Sequence, residues 1–124
     1  MKFREKKIDK VKIFEIYDNF FRDTGISELQ ESIMAALNNG SKKFIMDLSR
    51  VEYINSIGLA ALIRAYTSTK KAGADLLFTS LSLKVKEMLY ITRIDTLFTI
   101  YDTTEEAVVK LKKNWKIISN FPSL

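Results

Sequence analysis

The feature that most constrains the fold of this chain is a regular alternation between short apolar runs and longer amphipathic segments. From residue 43 onward, the runs KFIMDL, ADLLFTS and LFTIY have strand character, and a segment with helical spacing follows each of them. Strands that alternate with helices favour parallel crossovers and a sheet covered by helices. The predicted order of elements along the whole chain is β-β-α-β-α-β-α-β-α.

The N-terminal third supplies the first two strands and the first helix. KFREKKI and KVKIFEIY alternate polar and apolar residues, as half-buried strands do, and Asp9-Lys10 between them suits a hairpin turn. Asp23 or Thr24 can cap the helix, and Asn38-Asn39-Gly40 can end it. The predicted apolar face of this helix consists of Ile26, Leu29, Ile33, Met34 and Leu37.

These elements predict an α/β fold, a single domain whose mixed, mostly parallel sheet has about five strands and four helices. A chain of 124 residues suits one domain, and 47% apolar with 28% charged residues is ordinary globular usage. We expect the domain to span residues 1–118 and residues 119–124 to form a frayed C-terminal tail.

The residue types that the chain lacks narrow its chemistry. It contains no Cys and no His, which excludes thiolate metal sites, Cys nucleophiles and a Ser-His-Asp triad. We expect no cofactor and no metal. The N-terminus MKFREKKIDK is too charged for a signal peptide, and no segment reaches the roughly 18 consecutive apolar residues of a membrane span. A cytoplasmic protein without a membrane span is therefore expected.

The charge of the chain raises the question of a nucleic-acid partner. The net charge is +5 and the sequence pI is near 9.4, which is compatible with nucleic-acid binding. The Lys and Arg residues are scattered, however, and no single helix carries a basic stripe interleaved with aromatic residues. We expect a solvated basic surface and no nucleic-acid partner.

The stretch VEYINSIGLAALIRAY, residues 51–66, passes from a strand end to an apolar helix at Asn55-Ser56. In a strand–turn–helix unit the turn delivers its residues to the carboxyl edge of the sheet, where open α/β proteins place their sites. Asn55 and Ser56 are both good N-caps. Gly58 is less expected, because Gly in a helix costs up to about 1 kcal/mol relative to Ala, but it lets another backbone or a partner approach closely.

Three roles of the Ser56 hydroxyl can be compared. A nucleophilic serine needs a base, but the chain has no His, and Ser56 is not followed by the Lys of a Ser-x-x-Lys spacing, since position 59 is Leu. A helix cap and a phosphorylation switch remain open. The helix dipole would favour a phosphate here by about 0.3–1 kcal/mol, so the fold should survive modification. A docked partner would not tolerate it, because burying a phosphate without counter-charges is costly.

The segment from IMDLSRVEYINSIGL to YDTTEEAV resembles the STAS domains of the anti-sigma factor antagonist family, and the likeness covers about residues 11 to 112. Its most specific element is the family's Asp-Ser-Ser/Thr-Gly-Leu signature between a strand and a helix. Here that signature is Asn55-Ser56-Ile57-Gly58-Leu59.

The resemblance implies a bacterial partner-switching regulator. The unmodified antagonist would bind an anti-sigma factor that is usually also a serine kinase of the GHKL type. Phosphorylation by that kinase, carried over to Ser56, would break the complex, and a PP2C-type phosphatase would reverse it. The protein would bind and be modified, and would perform no catalysis.

The chain departs from the family pattern near this serine. Asn55 replaces the acidic residue, and Ile57 replaces the second hydroxyl. The family's Gly-Glu-Leu-Asp turn falls near NFFRD, where Asp23 stands in for the family's Asp if the register slips by one. Phe20 and Phe21 are either core side chains or, if exposed, a partner patch. The predicted partner-binding residues are Asn55, Ser56, Ile57, Gly58, Asp23, Phe20 and Phe21.

Two other functions stay open. The loss of the acidic residue and of the second hydroxyl motivates a STAS module that binds without being switched, such as a scaffold or an accessory subunit of a transport or signalling complex. Asp47 follows an apolar strand, which motivates a nucleotide-binding or phosphotransfer enzyme that uses Asp47, Asp18 or Asp23 with a metal. A strand-end Asp is more often a cap or turn residue.

Overall fold

The architecture is a five-stranded sheet with helices on both faces, seen in a computed structural model that describes residues 3–17 and 23–120. The predicted α/β fold and the predicted order of its elements are confirmed; a short 3-10 helix, Ile94–Thr96, is an addition. The elements are β1 Phe3–Ile8, β2 Val11–Ile16, α1 Asp23–Asn38, β3 Lys43–Asp47, α2 Ser56–Lys71, β4 Asp75–Thr79, α3 Leu83–Ile91, β5 Thr99–Tyr101 and α4 Thr104–Asn120.

The predicted division of the chain at residue 118 falls within the last helix. Helix α4 continues to Asn120. Residues 121–124 lie outside the described residues. The division into a domain over 1–118 and a tail over 119–124 therefore stays a prediction.

The strands lie side by side in the order of the sequence. β1 and β2 form the expected antiparallel hairpin through Asp9, which has a φ of 55°, while β2, β3, β4 and β5 are parallel. Crossover connections are right-handed, so crossovers that all step in the same direction place their helices on one face of the sheet. Because β2 to β5 are parallel, their carboxyl ends lie at one edge of the sheet. Each of the four helices follows one of these strands and begins at that edge.

The two faces of the sheet form two hydrophobic clusters. On one face, α1, α2 and α3 pack against alternate strand residues such as Phe14, Phe44 and Phe78, all fully buried. On the other face, α4 packs against the intervening residues, including Ile13 and Ile45. Because side chains of a strand alternate between faces, the central strands β3 and β4, which are covered on both faces, are apolar at most positions. This explains why they read as continuous apolar runs.

Each helix buries one stripe and exposes the rest of its surface. The predicted apolar face of α1 was too wide, because it included Met34. Met34 is 41% exposed because it lies about 100° around the helix from the buried Ile33. Gly40, with a φ of 92°, follows the end of α1 in the left-handed region, as predicted for a helix stop. Gly73, with a φ of 72°, has the same role after α2. Across the described ranges, no helix combines the length and the hydropathy needed to cross a bilayer.

Candidate functional site at the start of helix α2

The first turn of α2 is capped by Asn55 and not by Ser56. Asn55 has extended backbone angles, and its side-chain oxygen accepts a hydrogen bond from the Gly58 N–H at 2.9 Å. The Asn55 carbonyl accepts the first intrahelical bond, from the Leu59 N–H, also at 2.9 Å. These are the two features of an N-cap residue. Of the two candidate caps in the sequence, the amide therefore holds the position, and Ser56 is the first residue of the helix.

This assignment means that the cap of α2 does not use the Ser56 hydroxyl. The side chain is exposed, and it makes no hydrogen bond within the part of the chain that the structure describes. The first backbone N–H groups of a helix have no acceptor in the helix itself. A negatively charged group on Ser56 would thus lie beside free amide donors and the positive end of the helix dipole.

The neighbours of Ser56 divide into an exposed and a buried side. Ile57 is 48% exposed. Gly58 is buried, and its N–H is engaged by Asn55. Gly58 therefore contributes to the local packing and capping of α2, and the outward-facing surface here consists of Ser56 and Ile57. A partner-binding role for Asn55, Ser56, Ile57 and Gly58 remains a prediction.

The loop between β3 and α2 is held at both ends. The Leu48 N–H donates to the Thr79 carbonyl at 3.0 Å, and the side chains of Val51 and Ile54 are buried. Further on, the Ser82 hydroxyl donates to the Glu52 carbonyl at 2.8 Å and accepts from the Val85 N–H at 3.2 Å. Ser82 is thus the cap of α3, and it also ties the start of α3 to the loop that leads into Ser56.

Two exposed apolar side chains in this region were not predicted as part of the site. Tyr53 is 43% exposed on the loop, and Leu83 is 75% exposed at the start of α3, next to Ser82. Leu83 lies off the core face that Val85 and Leu89 form. In the sequence, the available signal for this exposure was that Leu83 does not fall on the helical spacing of the core residues of α3. The exposure of Tyr53 depends on how the loop packs.

The segment before α1 carries the remaining predicted partner residues. Asp23 is the first residue of α1, which starts at the same carboxyl edge of the sheet as α2. Phe20 and Phe21 lie outside the described residues, as does Asp18. Whether the two aromatic residues form core or a partner patch therefore stays as the sequence left it.

Asp47, the residue that motivated an enzyme, has structural partners on both carboxylate oxygens. One oxygen accepts from the Ser49 N–H at 2.9 Å, and the other accepts from the Thr104 hydroxyl at 3.1 Å. Thr104 begins α4, so Asp47 faces the side of the sheet that α4 covers, opposite to α2. Its carboxylate thus stabilises the turn that follows β3 and holds the start of α4 against the sheet. Among the described residues no three acidic side chains converge as a metal site would require.

Comparisons with known proteins agree with the fold. A family model described as STAS domain matches residues 5–107. A Thermotoga maritima protein described as a candidate anti-sigma factor antagonist is 32% identical over 77 residues, which make up 62% of this chain and 68% of that protein.

Solved structures give the same result. The crystal structure of a Thermotoga maritima protein with the same description is 27% identical, with a TM-score of 0.78 over 89% of this chain and 94% of the other. The Bacillus cell fate determinant SpoIIAA in its phosphorylated form is 12% identical, with a TM-score of 0.70 over 89% of this chain and 99% of the other. This second likeness concerns the fold alone.

Proposed function

The chain belongs to the STAS domain family, with relatives described as anti-sigma factor antagonists, and we propose that it is itself a partner-switching antagonist. In its unmodified form it binds an anti-sigma factor that is also a serine kinase of the GHKL type. The kinase phosphorylates Ser56, and the complex then dissociates. A PP2C-type phosphatase removes the phosphate, and all of these steps take place in the bacterial cytoplasm.

The observation that carries the proposal is the division of labour between Asn55 and Ser56. Asn55 caps α2 through Gly58, so the exposed Ser56 hydroxyl is available for modification without loss of a hydrogen bond to any of the described residues. In the transfer step, the Ser56 oxygen forms a bond to the γ-phosphorus of ATP as the bond to ADP breaks. The hydroxyl proton passes to a base of the kinase. The antagonist supplies the acceptor atom and no catalytic group.

The switch follows from the charge that phosphorylation adds. A phosphoserine carries about −1.5 to −2 charges at neutral pH. Beside the start of α2 the helix dipole favours this charge by about 0.3–1 kcal/mol, so the antagonist stays folded. Docked against a partner without counter-charges, the same group would lose its hydration at a cost of several kcal/mol. Since about 1.4 kcal/mol is a tenfold change in affinity, the complex would dissociate.

The partner surface is proposed to extend from Ser56 across exposed apolar side chains. Ile57 is adjacent to the hydroxyl, and the Ser82–Glu52 hydrogen bond brings Leu83 to the same loop as Tyr53. A few well-packed side chains near the centre of an interface give most of the binding free energy. Asp23 at the start of α1 would border this surface at the same edge of the sheet.

A second candidate is a STAS module that binds a partner without being switched. The specific observation in its favour is the residue pair that flanks the serine. Asn55 provides the cap but no negative charge, and Ile57 provides no second hydroxyl. Under this alternative the Ser56 surface would still bind a partner, as a scaffold or as a subunit of a transport or signalling complex.

Phosphorylation by the cognate kinase distinguishes the two. The purified protein is incubated with the anti-sigma kinase of its own organism and Mg-ATP, and the products are analysed by mass spectrometry. The proposal predicts one phosphate, located on Ser56 by peptide mapping. Ser49→Ala is a matched control, because Ser49 is an exposed serine of the same loop and uses only its backbone N–H to bind Asp47.

The outcomes separate clearly. Ser49→Ala should be modified like the parent and Ser56→Ala should not be modified at all. Equal modification of Ser56→Ala would exclude the switch at this residue. A stable complex with the kinase that persists in Mg-ATP, with no phosphate on the antagonist, would favour the module that is not switched.

A further inference from the structure

Helix α3 carries an apolar stripe on the side that faces away from the sheet. Val85 and Leu89 are buried and mark the inward side of this helix. Leu83, Tyr90 and Ile91 are 75%, 73% and 76% exposed, and among the described residues no other large apolar side chain is as exposed as these three. All of them belong to one helix of nine residues. Exposed apolar side chains that adjoin one another mark interaction sites, whereas scattered ones do not.

The spacing of the stripe places its centre at Glu87. Because each residue advances the helix by about 100°, Glu87 lies about 160° around the axis from both Val85 and Leu89, and it points away from the core. Leu83 precedes Glu87 by four residues, and Ile91 follows it by four. Side chains four residues apart lie on one face of a helix. Apolar side chains therefore flank the glutamate at about 6 Å on either side along the axis.

The charges on this outward face balance each other. Lys84 lies one turn before Glu87, and both side chains are exposed. Neither forms an ion pair with any residue that the structure describes, whereas Lys86, on the flank of the helix, lies 4.0 Å from Asp102. The outward face thus has one positive charge, one negative charge and no net charge.

A surface of this composition excludes some kinds of partner. Nucleic acids and anionic membranes are attracted by a net positive charge, which this face lacks. In contact with lipid, the carboxylate of Glu87 at the centre of the stripe would also lose its hydration at a high cost. The face consists of two apolar ends with opposite charges between them, and a second copy of the same face matches it.

We propose that α3 docks antiparallel on α3 of a second copy of this chain, across a twofold axis that passes near Glu87. A twofold axis brings the same patch of both subunits into contact with itself. The residues that precede Glu87 in one copy then lie opposite those that follow it in the other. Leu83 packs against Tyr90 and Ile91 of the second copy, and the same contact recurs on the other side of the axis. Each Glu87 lies within one turn of Lys84 of the second copy, so both charges gain a partner.

The size of the patch makes this a weak dimer. Stable, specific interfaces bury about 1,200–2,000 Å² in total. A helix of nine residues is about 14 Å long and about 10 Å wide, so a contact between two such helices buries less than that. We expect a transient dimer with a Kd of about 10–100 μM, and a monomer at lower concentrations.

The proposed dimer does not depend on phosphorylation of Ser56, but the two surfaces meet at Leu83. Leu83 follows Ser82, whose hydroxyl donates to the Glu52 carbonyl in the loop before Ser56. A partner protein that covers Leu83 would displace the second copy, so partner binding and dimerisation would exclude each other. The dimer is tested with this chain alone, so a failure of either proposal leaves the other in place.

Sedimentation equilibrium of the full chain tests the proposal. The protein is analysed from about 5 to about 500 μM at physiological salt, a range that brackets the expected Kd. We expect a single monomer–dimer equilibrium. A chain that remains monomeric at the highest concentration would overturn the proposal.

Matched apolar variants locate the interface. Tyr90→Gln with Ile91→Gln removes two exposed apolar side chains of α3 and should raise the Kd for dimerisation at least tenfold. Met34→Gln with Val109→Gln is the control, because these side chains are exposed on α1 and α4. The control should stay within about twofold of the parent Kd, and circular dichroism checks that both variants are folded. An equal loss in the two double variants would show that α3 is not the interface.

Charge reversal tests the antiparallel arrangement. Lys84→Glu and Glu87→Lys, made separately, each turn an attraction into a repulsion at two symmetric places and should raise the Kd at least fivefold. The two changes combined should restore a Kd within about twofold of the parent value, which a mere loss of α3 stability would not do. A combined variant as weak as the single ones would contradict the arrangement. Monomeric protein that sediments with phosphatidylglycerol vesicles, and loses this binding in Tyr90→Gln with Ile91→Gln, would assign the stripe to a membrane and overturn the proposal.

Discussion

The side-chain oxygen of Asn55 accepts a hydrogen bond from the backbone N–H of Gly58 at 2.9 Å, across the first turn of α2. This bond spans Ser56 without using its hydroxyl. The capping of the helix and the group available for modification thus belong to two adjacent residues. Their effects on stability and on partner binding should be separable by mutation.

The first prediction separates the two residues by their effect on folding. Asn55→Ala removes the cap and should lower the free energy of unfolding by about 1 kcal/mol. Ser56→Ala removes a hydroxyl that bonds to none of the residues that the structure describes, and it should change this free energy by less than about 0.5 kcal/mol. Asn55→Asp keeps an accepting oxygen and should be as stable as the parent. Urea denaturation measures all three; equal losses in Asn55→Ala and Ser56→Ala would show that the serine shares the capping.

The second prediction concerns the charge on residue 56. Ser56→Asp should weaken binding to the anti-sigma partner at least tenfold, because about 1.4 kcal/mol of lost interaction is enough for that change. Ser56→Ala should bind like the parent. Isothermal titration calorimetry gives both Kd values, and circular dichroism checks that the variants are folded. Tight binding by Ser56→Asp would argue against release by phosphorylation.

The third prediction concerns Ile57, which is 48% exposed next to the serine. Ile57→Ala should leave the midpoint of thermal unfolding close to that of the parent but raise the Kd for the partner about tenfold, since burying an Ile side chain contributes about 1.5–3 kcal/mol. Val109→Ala is the control, because Val109 is 58% exposed on α4, on the other face of the sheet. If both variants bind alike, the interface lies elsewhere.

The fourth prediction concerns the hydroxyl pair that anchors α4. The oxygens of Thr79 and Thr104 are 2.8 Å apart in a buried position, and Thr104 donates its proton to Asp47. Thr79 must therefore donate to Thr104. Thr104→Val leaves both partners without their bond and should cost about 1–3 kcal/mol of unfolding free energy, whereas Thr104→Ser should cost less.

A second threonine provides the control for the loss of unfolding free energy in Thr104→Val. Thr99→Val alters an exposed threonine of β5 and should be close to neutral. Chemical denaturation of the three variants provides the values. A neutral Thr104→Val would mean that water replaces the hydroxyl without loss.

The fifth prediction concerns pH and the edge strand β1. Burial raises the pKa of Glu15, but hydrogen bonds from Lys6 and Arg4, together with their charges, outweigh it and lower the pKa overall. The two cations lie 3.0 and 2.9 Å from the carboxylate. Because the pKa of Glu15 is lower in the folded protein, the unfolded chain binds more protons at pH values between the folded and unfolded pKa. The contribution of Glu15 is therefore complete above the ordinary Glu pKa of about 4.3.

The stabilisation by Glu15 should disappear as the pH falls from the ordinary Glu pKa through the lower pKa of Glu15 in the folded protein. Glu15→Gln should consequently lose less stability than the parent between neutral and acidic pH, as measured by urea unfolding at a series of pH values. Glu87→Gln, at an exposed position of α3, should follow the curve of the parent. A curve for Glu15→Gln as steep as that of the parent would contradict the prediction.

The candidate site was partly visible in the sequence. The turn INSIG predicted a strand–turn–helix junction, and both Asn55 and Ser56 were capable of capping it. Local chemistry left that choice open, because either side chain can accept the bond. The folded backbone decided it, since the extended conformation is at Asn55 and the helix starts at Ser56.

A groove lined by lysines of the β1–β2 hairpin, the start of β3 and α4 shows the limit of sequence reasoning most clearly. The lysines are scattered along the chain, and no helix carries a basic stripe, so the sequence predicted only a solvated surface. In the fold, Lys7, Lys10 and Lys43 meet because the hairpin turn and the start of β3 share the amino edge of the sheet. A pattern within one element cannot reveal a cluster built from three.

The sequence alone determined the order and type of the elements, because apolar periodicity, turn residues and caps act over a few neighbouring residues. It also determined which serine stands at the start of α2. Tertiary structure decided which side chains remain outside and which distant charges converge. Asp47 faces α4, Leu83 faces outward and the lysines form a groove because strand pairing and helix packing set these directions, and both depend on contacts between residues far apart in the chain.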